Sequence, residues 1–106
     1  MNAGEQELLQ DCKARLAAHY GDRLKGLILY GSMARADADP ESDIDLLVLL
    51  GEPFEYFVEL EAVVDLLYDV QLGADRYLSV RPASARDFET GRIQLYRNAR
   101  KEGVPV

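Results

Sequence analysis

Two aspartates, Asp43 and Asp45, begin an apolar stretch of the chain and are the residues best suited to chemistry. Residues two apart on a strand point to the same face, so the two carboxylates are expected side by side. Such a pair repels unless a cation lies between the carboxylates or one of them keeps its proton. Mg²⁺ is typically held by one or two carboxylates together with the phosphate oxygens of a substrate. The pair therefore predicts a magnesium site, although Asp-x-Asp is also common as a solvated start of a strand.

A second candidate lies at Gly31 and Ser32, where one predicted strand ends and a short helix begins. Glycine lets the backbone approach a ligand closely, and the N–H groups at the start of a helix favour a phosphate. A Gly-Ser pair in this position is more often only a helix cap. Together with the aspartate pair, within one strand–turn–strand unit, the two signals are more specific than either is alone.

The elements that position these residues alternate between helix and strand. Gly21 is expected to end the first helix and Pro82 the third strand. This order predicts an α/β (α+β) fold, with a mixed sheet flanked by helices. The predicted strands are Leu24–Tyr30, Asp43–Leu50 and Arg76–Arg81, with room for a further edge strand at Val104–Val106. The predicted helices are Gln6–Tyr20, Met33–Arg35 capped by Ser32, Phe54–Leu72, a short helix from Ser84 through Glu89, and Ile93–Lys101.

The remaining large side chains are interpreted as packing residues. In the Phe54–Leu72 segment, apolar residues recur at a spacing typical of a helix, namely Phe57, Leu60, Val64, Leu67 and Tyr68. The dispersed tyrosines are assigned to packing as well, namely Tyr30, Tyr56, Tyr68, Tyr77 and Tyr96.

Length and composition exclude several classes of protein. With 106 residues the chain is expected to form a single domain over 1–106, and its net charge of −7 argues against a nucleic-acid groove. A single cysteine excludes an internal disulfide, and one cysteine with one histidine argues against a site for a soft metal, so any metal should be a hard, oxygen-binding ion. The sequence shows no signal peptide and no apolar run long enough for a membrane helix, which favours the cytoplasm.

The chain resembles the nucleotidyltransferase superfamily of the DNA polymerase beta type, and more narrowly the minimal nucleotidyltransferases. The resemblance rests on Gly31-Ser32, followed after ten residues by Asp43-x-Asp45, with Ser42 just before the first aspartate. It implies a mixed sheet of five strands or fewer flanked by helices, with ATP as the nucleotide donor and Mg²⁺ as the cofactor.

The resemblance also implies roles for individual residues. Asp43 and Asp45 correspond to catalytic, metal-ligating carboxylates, and Gly31 and Ser32 to the turn that binds the triphosphate. Arg35, one turn into the short helix, would face the triphosphate, although a solvated helix position explains it equally well.

One departure from the family concerns a third carboxylate, which commonly lies on a later strand and helps to deprotonate the attacking hydroxyl. The corresponding strand here, Arg76–Arg81, contains no acid. Ser79 is a candidate for its place. Asp75 comes just before this strand and Asp69 belongs to the preceding helix, and neither acid is well placed by its spacing.

Three functions follow as hypotheses. The first is transfer of AMP from ATP to a hydroxyl of a partner protein, with an all-helical HEPN-like toxin as the partner that the resemblance implies. The second is a degenerate module that binds nucleotide or neutralises its partner without turnover. The third is transfer to a small molecule, for which the chain lacks the helical acceptor-binding domain unless a homo-oligomer supplies the acceptor site.

Overall fold

A four-stranded mixed sheet, in the order β3-β2-β1-β4, forms the centre of the computed structural model, which describes residues 1–106. β1 runs antiparallel to β2 and β4, whereas β2 and β3 run parallel. The mixed sheet flanked by helices is the fold expected from the sequence, including the edge strand near the C-terminus. The strands are β1 (Leu24–Tyr30), β2 (Ile44–Leu50), β3 (Leu78–Ser84) and β4 (Val104–Pro105).

The helices pack on both faces of this sheet, and none of them is long and apolar enough to cross a membrane. A single 3₁₀ turn, Gly21–Arg23, joins the first helix to β1. The helices are α1 (Ala3–Tyr20), α2 (Ser32–Arg35), α3 (Tyr56–Leu66), α4 (Tyr68–Leu72), α5 (Ala85–Thr90) and α6 (Gln94–Glu102).

Side chains of β2 alternate between two apolar clusters on opposite faces of the sheet. Leu46 and Val48 belong to the larger cluster of 15 buried residues, which also contains side chains of α1, α3 and α4. Leu47 and Leu49 belong to a smaller cluster, against which side chains of α5 and α6 pack. Asp45 shares the face of the smaller cluster, so its carboxylate lies on the less covered side of the sheet.

Most element boundaries agree with the predictions to within one residue, and three elements differ by more. α1 begins at Ala3 rather than Gln6, because Asn2 and Glu5 form a reciprocal capping box. The predicted helix Phe54–Leu72 is two helices that meet at Leu67, where the backbone leaves helical geometry. β3 begins at Leu78 and continues past Pro82, which is tolerated there because β3 is an edge strand.

The interpretation of the large side chains on α3 and α4 as packing residues is wrong in part. Val63, Leu67 and Val70 are the residues that these helices bury. In contrast, Phe57 is 78% exposed and Tyr68 is 58% exposed. The exposed residues form a second apolar row, which the core does not cover.

Candidate active site

Gly31 and Asp45, from the two predicted motifs, lie against each other. β1 and β2 pair in a register that sets Tyr30 opposite Asp45, so the chain enters Gly31 directly beside the aspartate. Gly31 has φ of 76°, a conformation that residues with a side chain rarely adopt. A Cβ on Gly31 would collide with Oδ2 of Asp45. Glycine is therefore required both by the backbone conformation and by the carboxylate.

Asp43 and Asp45 bring two negative charges to the start of β2. Asp43 is exposed just before the strand, whereas Asp45 is half-buried within it. Burial, and then the neighbouring charge of Asp43, raise the pKa of Asp45, while Arg81 and Arg35 act in the opposite direction. Burial and the charge of Asp43 thus both disfavour the ionised form of Asp45, which a bound cation would stabilise.

The turn after β1 differs in detail from the predicted helix cap. Gly31, not Ser32, is the N-cap residue of α2, and no side chain caps this helix. The Gly31 carbonyl accepts hydrogen bonds from the N–H groups of Ala34 and Arg35, both at 3.1 Å. Ser32 is the first helical residue, which leaves its hydroxyl available to a ligand.

Ser79, the candidate for the place of a third acid, lies directly beside Asp45. The parallel register of β2 and β3 pairs Asp45 with Ser79. Asp69 lies elsewhere, on α4, and faces Arg15 at 4.0 Å. No group of three His, Cys, Asp or Glu side chains in the chain could hold a metal ion. A cation at Asp43 and Asp45 would therefore need oxygen ligands from water or substrate.

Arg35 engages two acids near the predicted phosphate turn. Its Nε donates to Oδ2 of Asp37 at 3.2 Å, and its Nη1 donates to Oε2 of Glu102 at 3.2 Å. These contacts raise the pKa of the guanidinium and link α2 to the C-terminal end of α6. The side chain remains 43% exposed, so its role towards a triphosphate stays a prediction.

Arg76 is a site residue that the sequence analysis did not identify. Its Nη1 donates to the carbonyl oxygens of Asp39 at 2.7 Å and Ser42 at 2.8 Å, and its Nε donates to Glu5 Oε2 at 2.8 Å. Arg76 therefore fixes the loop that delivers Asp43 and ties this loop to α1. Its partners are 34, 37 and 71 residues away in the chain, so no local pattern reveals the contact.

Comparison with known proteins points to one family. The family model of the nucleotidyltransferase domain matches residues 6–101. A Methanocaldococcus jannaschii protein named "Putative protein adenylyltransferase" is 36% identical over 70 residues, which are 66% of this chain and 70% of that protein. A second protein of the same organism and description is 41% identical over 46 residues, less than half of either chain (43% and 46%).

A solved structure described as a minimal nucleotidyltransferase has a similar fold. It superposes with a TM-score of 0.56 and covers 95% of this chain and 94% of its own. At 24% sequence identity, this likeness concerns the fold alone.

Proposed function

The chain belongs to the nucleotidyltransferase domain family, and on that premise we propose that it transfers AMP from ATP to a hydroxyl group of a partner protein. The observation that carries this proposal is the juxtaposition of the Gly31 turn with the Asp45 carboxylate. Transfer of a nucleotide requires a phosphate-binding turn beside an acidic pair, and the Gly31 turn would serve as that turn. The names of the two archaeal relatives support a protein as the acceptor.

The acidic pair fits a hard divalent cation such as Mg²⁺. Asp43 and Asp45 would supply two carboxylate oxygens, and this small number suits an ion that keeps water or phosphate oxygens as its other ligands. Burial, and then the charge of Asp43, raise the pKa of Asp45, and a bound cation would favour its ionised form. When bound, Mg²⁺ would neutralise charge on the transferred phosphoryl group and on the leaving pyrophosphate.

The residues of the chain mainly position the reacting groups. Gly31 and Ser32 would bind the β- and γ-phosphates through backbone N–H groups and the Ser32 hydroxyl. The hydroxyl oxygen of the acceptor then attacks the α-phosphorus in line, while the bond from this phosphorus to the pyrophosphate oxygen breaks. The acceptor loses its proton to solvent, and pyrophosphate leaves. Positioning and charge neutralisation supply most of the acceleration in reactions of this kind.

A second candidate function is binding of nucleotide or partner without turnover. It is favoured by Ser79, which occupies the position beside Asp45 where a third carboxylate would assist deprotonation of the acceptor. A serine hydroxyl is too weak a base for that role at neutral pH. The two candidates share the site and differ only in whether a covalent product forms.

The partner in our proposal is a HEPN-like helical protein, so that the chain would act in the cytoplasm as the antitoxin of a toxin–antitoxin pair. The resemblance to the minimal nucleotidyltransferases supports this partner.

The test uses ATP labelled on its α-phosphate, Mg²⁺, and the product of the neighbouring reading frame, which we expect to be a small all-helical protein. We expect label on the partner with the wild type and none with the Asp43→Asn/Asp45→Asn double variant. Label with the double variant refutes the proposal. Calorimetric binding of ATP and Mg²⁺ without labelling supports the second candidate instead.

A further inference from the structure

An apolar groove runs between α3, α4 and the outer edge of β3. It encloses about 480 Å³, and most of the residues that line it are hydrophobic. Several lie open to solvent, among them Phe57 at 78%, Tyr77 at 64% and Tyr68 at 58% exposed. A contiguous exposed apolar surface of this kind is typical of a site that binds a partner. We call it the α3–β3 groove.

Negative charge flanks the groove on its α3 side. From Ala36 to Asp75 the chain contains no Lys, Arg or His. Glu61 and Asp65 are exposed on α3 and form no ion pair. Glu61 is three residues before the lining residue Val64 and therefore neighbours it on the helix surface, and Asp65 lies one turn after Glu61. A partner that covers the groove should therefore present an apolar ridge flanked by Lys or Arg.

The outer edge of β3 is poorly suited to pairing with another strand. The Tyr77 carbonyl accepts a hydrogen bond from Ile44, so alternation turns the polar groups of Leu78, Val80 and Pro82 outwards. Gln71 Oε1 already accepts the N–H of Leu78 at 2.7 Å, and Pro82 has no N–H. Too few donors remain for an added strand, which favours a helix as the occupant.

The groove ends beside the proposed reaction centre. Ser79 and Arg81 line its end on β3. Ser79 is the register partner of Asp45 and lies on the side of Asp45 opposite to the Gly31 turn. The helices of the groove pack on the other face of the sheet, so a docked partner would reach the acidic pair past the edge of β3.

We propose that the α3–β3 groove docks an amphipathic helix of the acceptor protein, with basic residues flanking its apolar ridge. The role as acceptor site rests on the proposed function, whereas the docking itself does not. A symmetric contact with a second copy is disfavoured, because it would bring the acidic flanks of both copies together.

The test measures binding of two synthetic amphipathic helices of about five turns by fluorescence anisotropy, without ATP. Both carry the same leucine ridge, one flanked by lysines and the other by glutamates. We expect the lysine peptide to bind to Phe57→Ser at least about tenfold more weakly than to the wild type. Val58→Ser serves as the matched control, since Val58 is 55% exposed on α3 but lies outside the groove. The double variant Glu61→Lys/Asp65→Lys should reverse the preference between the two peptides.

The proposal is overturned if neither peptide binds, if both bind equally, or if Phe57→Ser and Val58→Ser bind alike. It is also overturned if the wild type dimerises in sedimentation experiments and Phe57→Ser does not, because the occupant is then a second copy. Release of pyrophosphate from ATP with water as acceptor should be equal in Phe57→Ser and wild type. Docking with no nucleotide transfer would refute the proposed function and leave the groove as a binding site.

Discussion

Oδ2 of Asp45 occupies the space that a side chain on Gly31 would need. The two residues are 14 positions apart and meet because β1 and β2 pair antiparallel, with Tyr30 opposite Asp45. The turn that would hold a triphosphate and the carboxylate that would hold its metal are thus fixed by one sheet register. Disturbing either residue should disturb the other.

Replacing Gly31 with alanine should remove nucleotide transfer, because the added methyl group displaces the Asp45 carboxylate. The backbone strain should also cost about 1–3 kcal/mol of folding stability. Gly21→Ala is the control, since Gly21 also has a positive φ, of 57°, but nothing lies within 4 Å of its Cβ position. Thermal unfolding should show a loss for both variants, whereas the transfer assay should fail only for Gly31→Ala. Equal activity of the two variants would contradict the steric role of Asp45.

Replacing Asp45 with asparagine should stabilise the metal-free protein at neutral pH. The folded state raises the pKa of Asp45 above its ordinary value of 3.8, so the protein loses stability as pH rises through the folded pKa. An asparagine at position 45 does not ionise, so the variant does not lose this folding stability. The variant should therefore melt at a higher temperature than wild type at pH 7, and the difference should vanish below pH 3.8.

Adding Mg²⁺ at pH 7 should reverse the order of the two melting temperatures, so that the wild type melts at a higher temperature than Asp45→Asn. The wild type gains stability because the ion binds the folded state only, whereas Asp45→Asn has lost one of the two proposed ligands. Melting curves with and without Mg²⁺ provide the measurement. A variant that responds to Mg²⁺ as strongly as the wild type would exclude Asp45 as a ligand.

Arg76→Lys should weaken the site without touching the substrate. An ammonium group cannot reach Glu5, Asp39 and Ser42 in the forked geometry of the guanidinium, so the loop before Asp43 is released. We expect a loss of about 1–3 kcal/mol in the free energy of unfolding and a higher Mg²⁺ concentration for half-maximal transfer. Arg15→Lys is the control, because its exposed pair with Asp11 contributes at most about 1 kcal/mol. If the Mg²⁺ requirement of Arg76→Lys is unchanged, Arg76 is structural only.

The parts of the fold that the sequence predicts well are those with local signals. The bounds of β1 agree with the prediction, and the joint pattern of Gly31-Ser32 and Asp43-x-Asp45 identifies residues that the fold brings together. The parts that fail depend on distant contacts. Nothing local distinguishes the buried face of α3 from its exposed apolar row, because both repeat at helical spacing. Pro82 is misjudged for the same reason, since only its place on an edge strand makes it tolerable.

Ser79→Asp tests whether the absent third carboxylate limits turnover. The register of β2 and β3 sets residue 79 beside Asp45, so the new carboxylate would complete an acidic triad on neighbouring strands. Removing a proton from the acceptor hydroxyl by a positioned base is commonly worth about 10²–10⁴-fold in rate. We expect the variant to bind Mg²⁺ more tightly and to transfer AMP at least about tenfold faster. It should also melt at a lower temperature without Mg²⁺, because three carboxylates repel.

Ser79→Asn, which adds similar bulk without charge, should show none of these effects. Tighter Mg²⁺ binding with no gain in rate would mean that the native site does not depend on a protein base. Docking of the acceptor would then be the rate-limiting step.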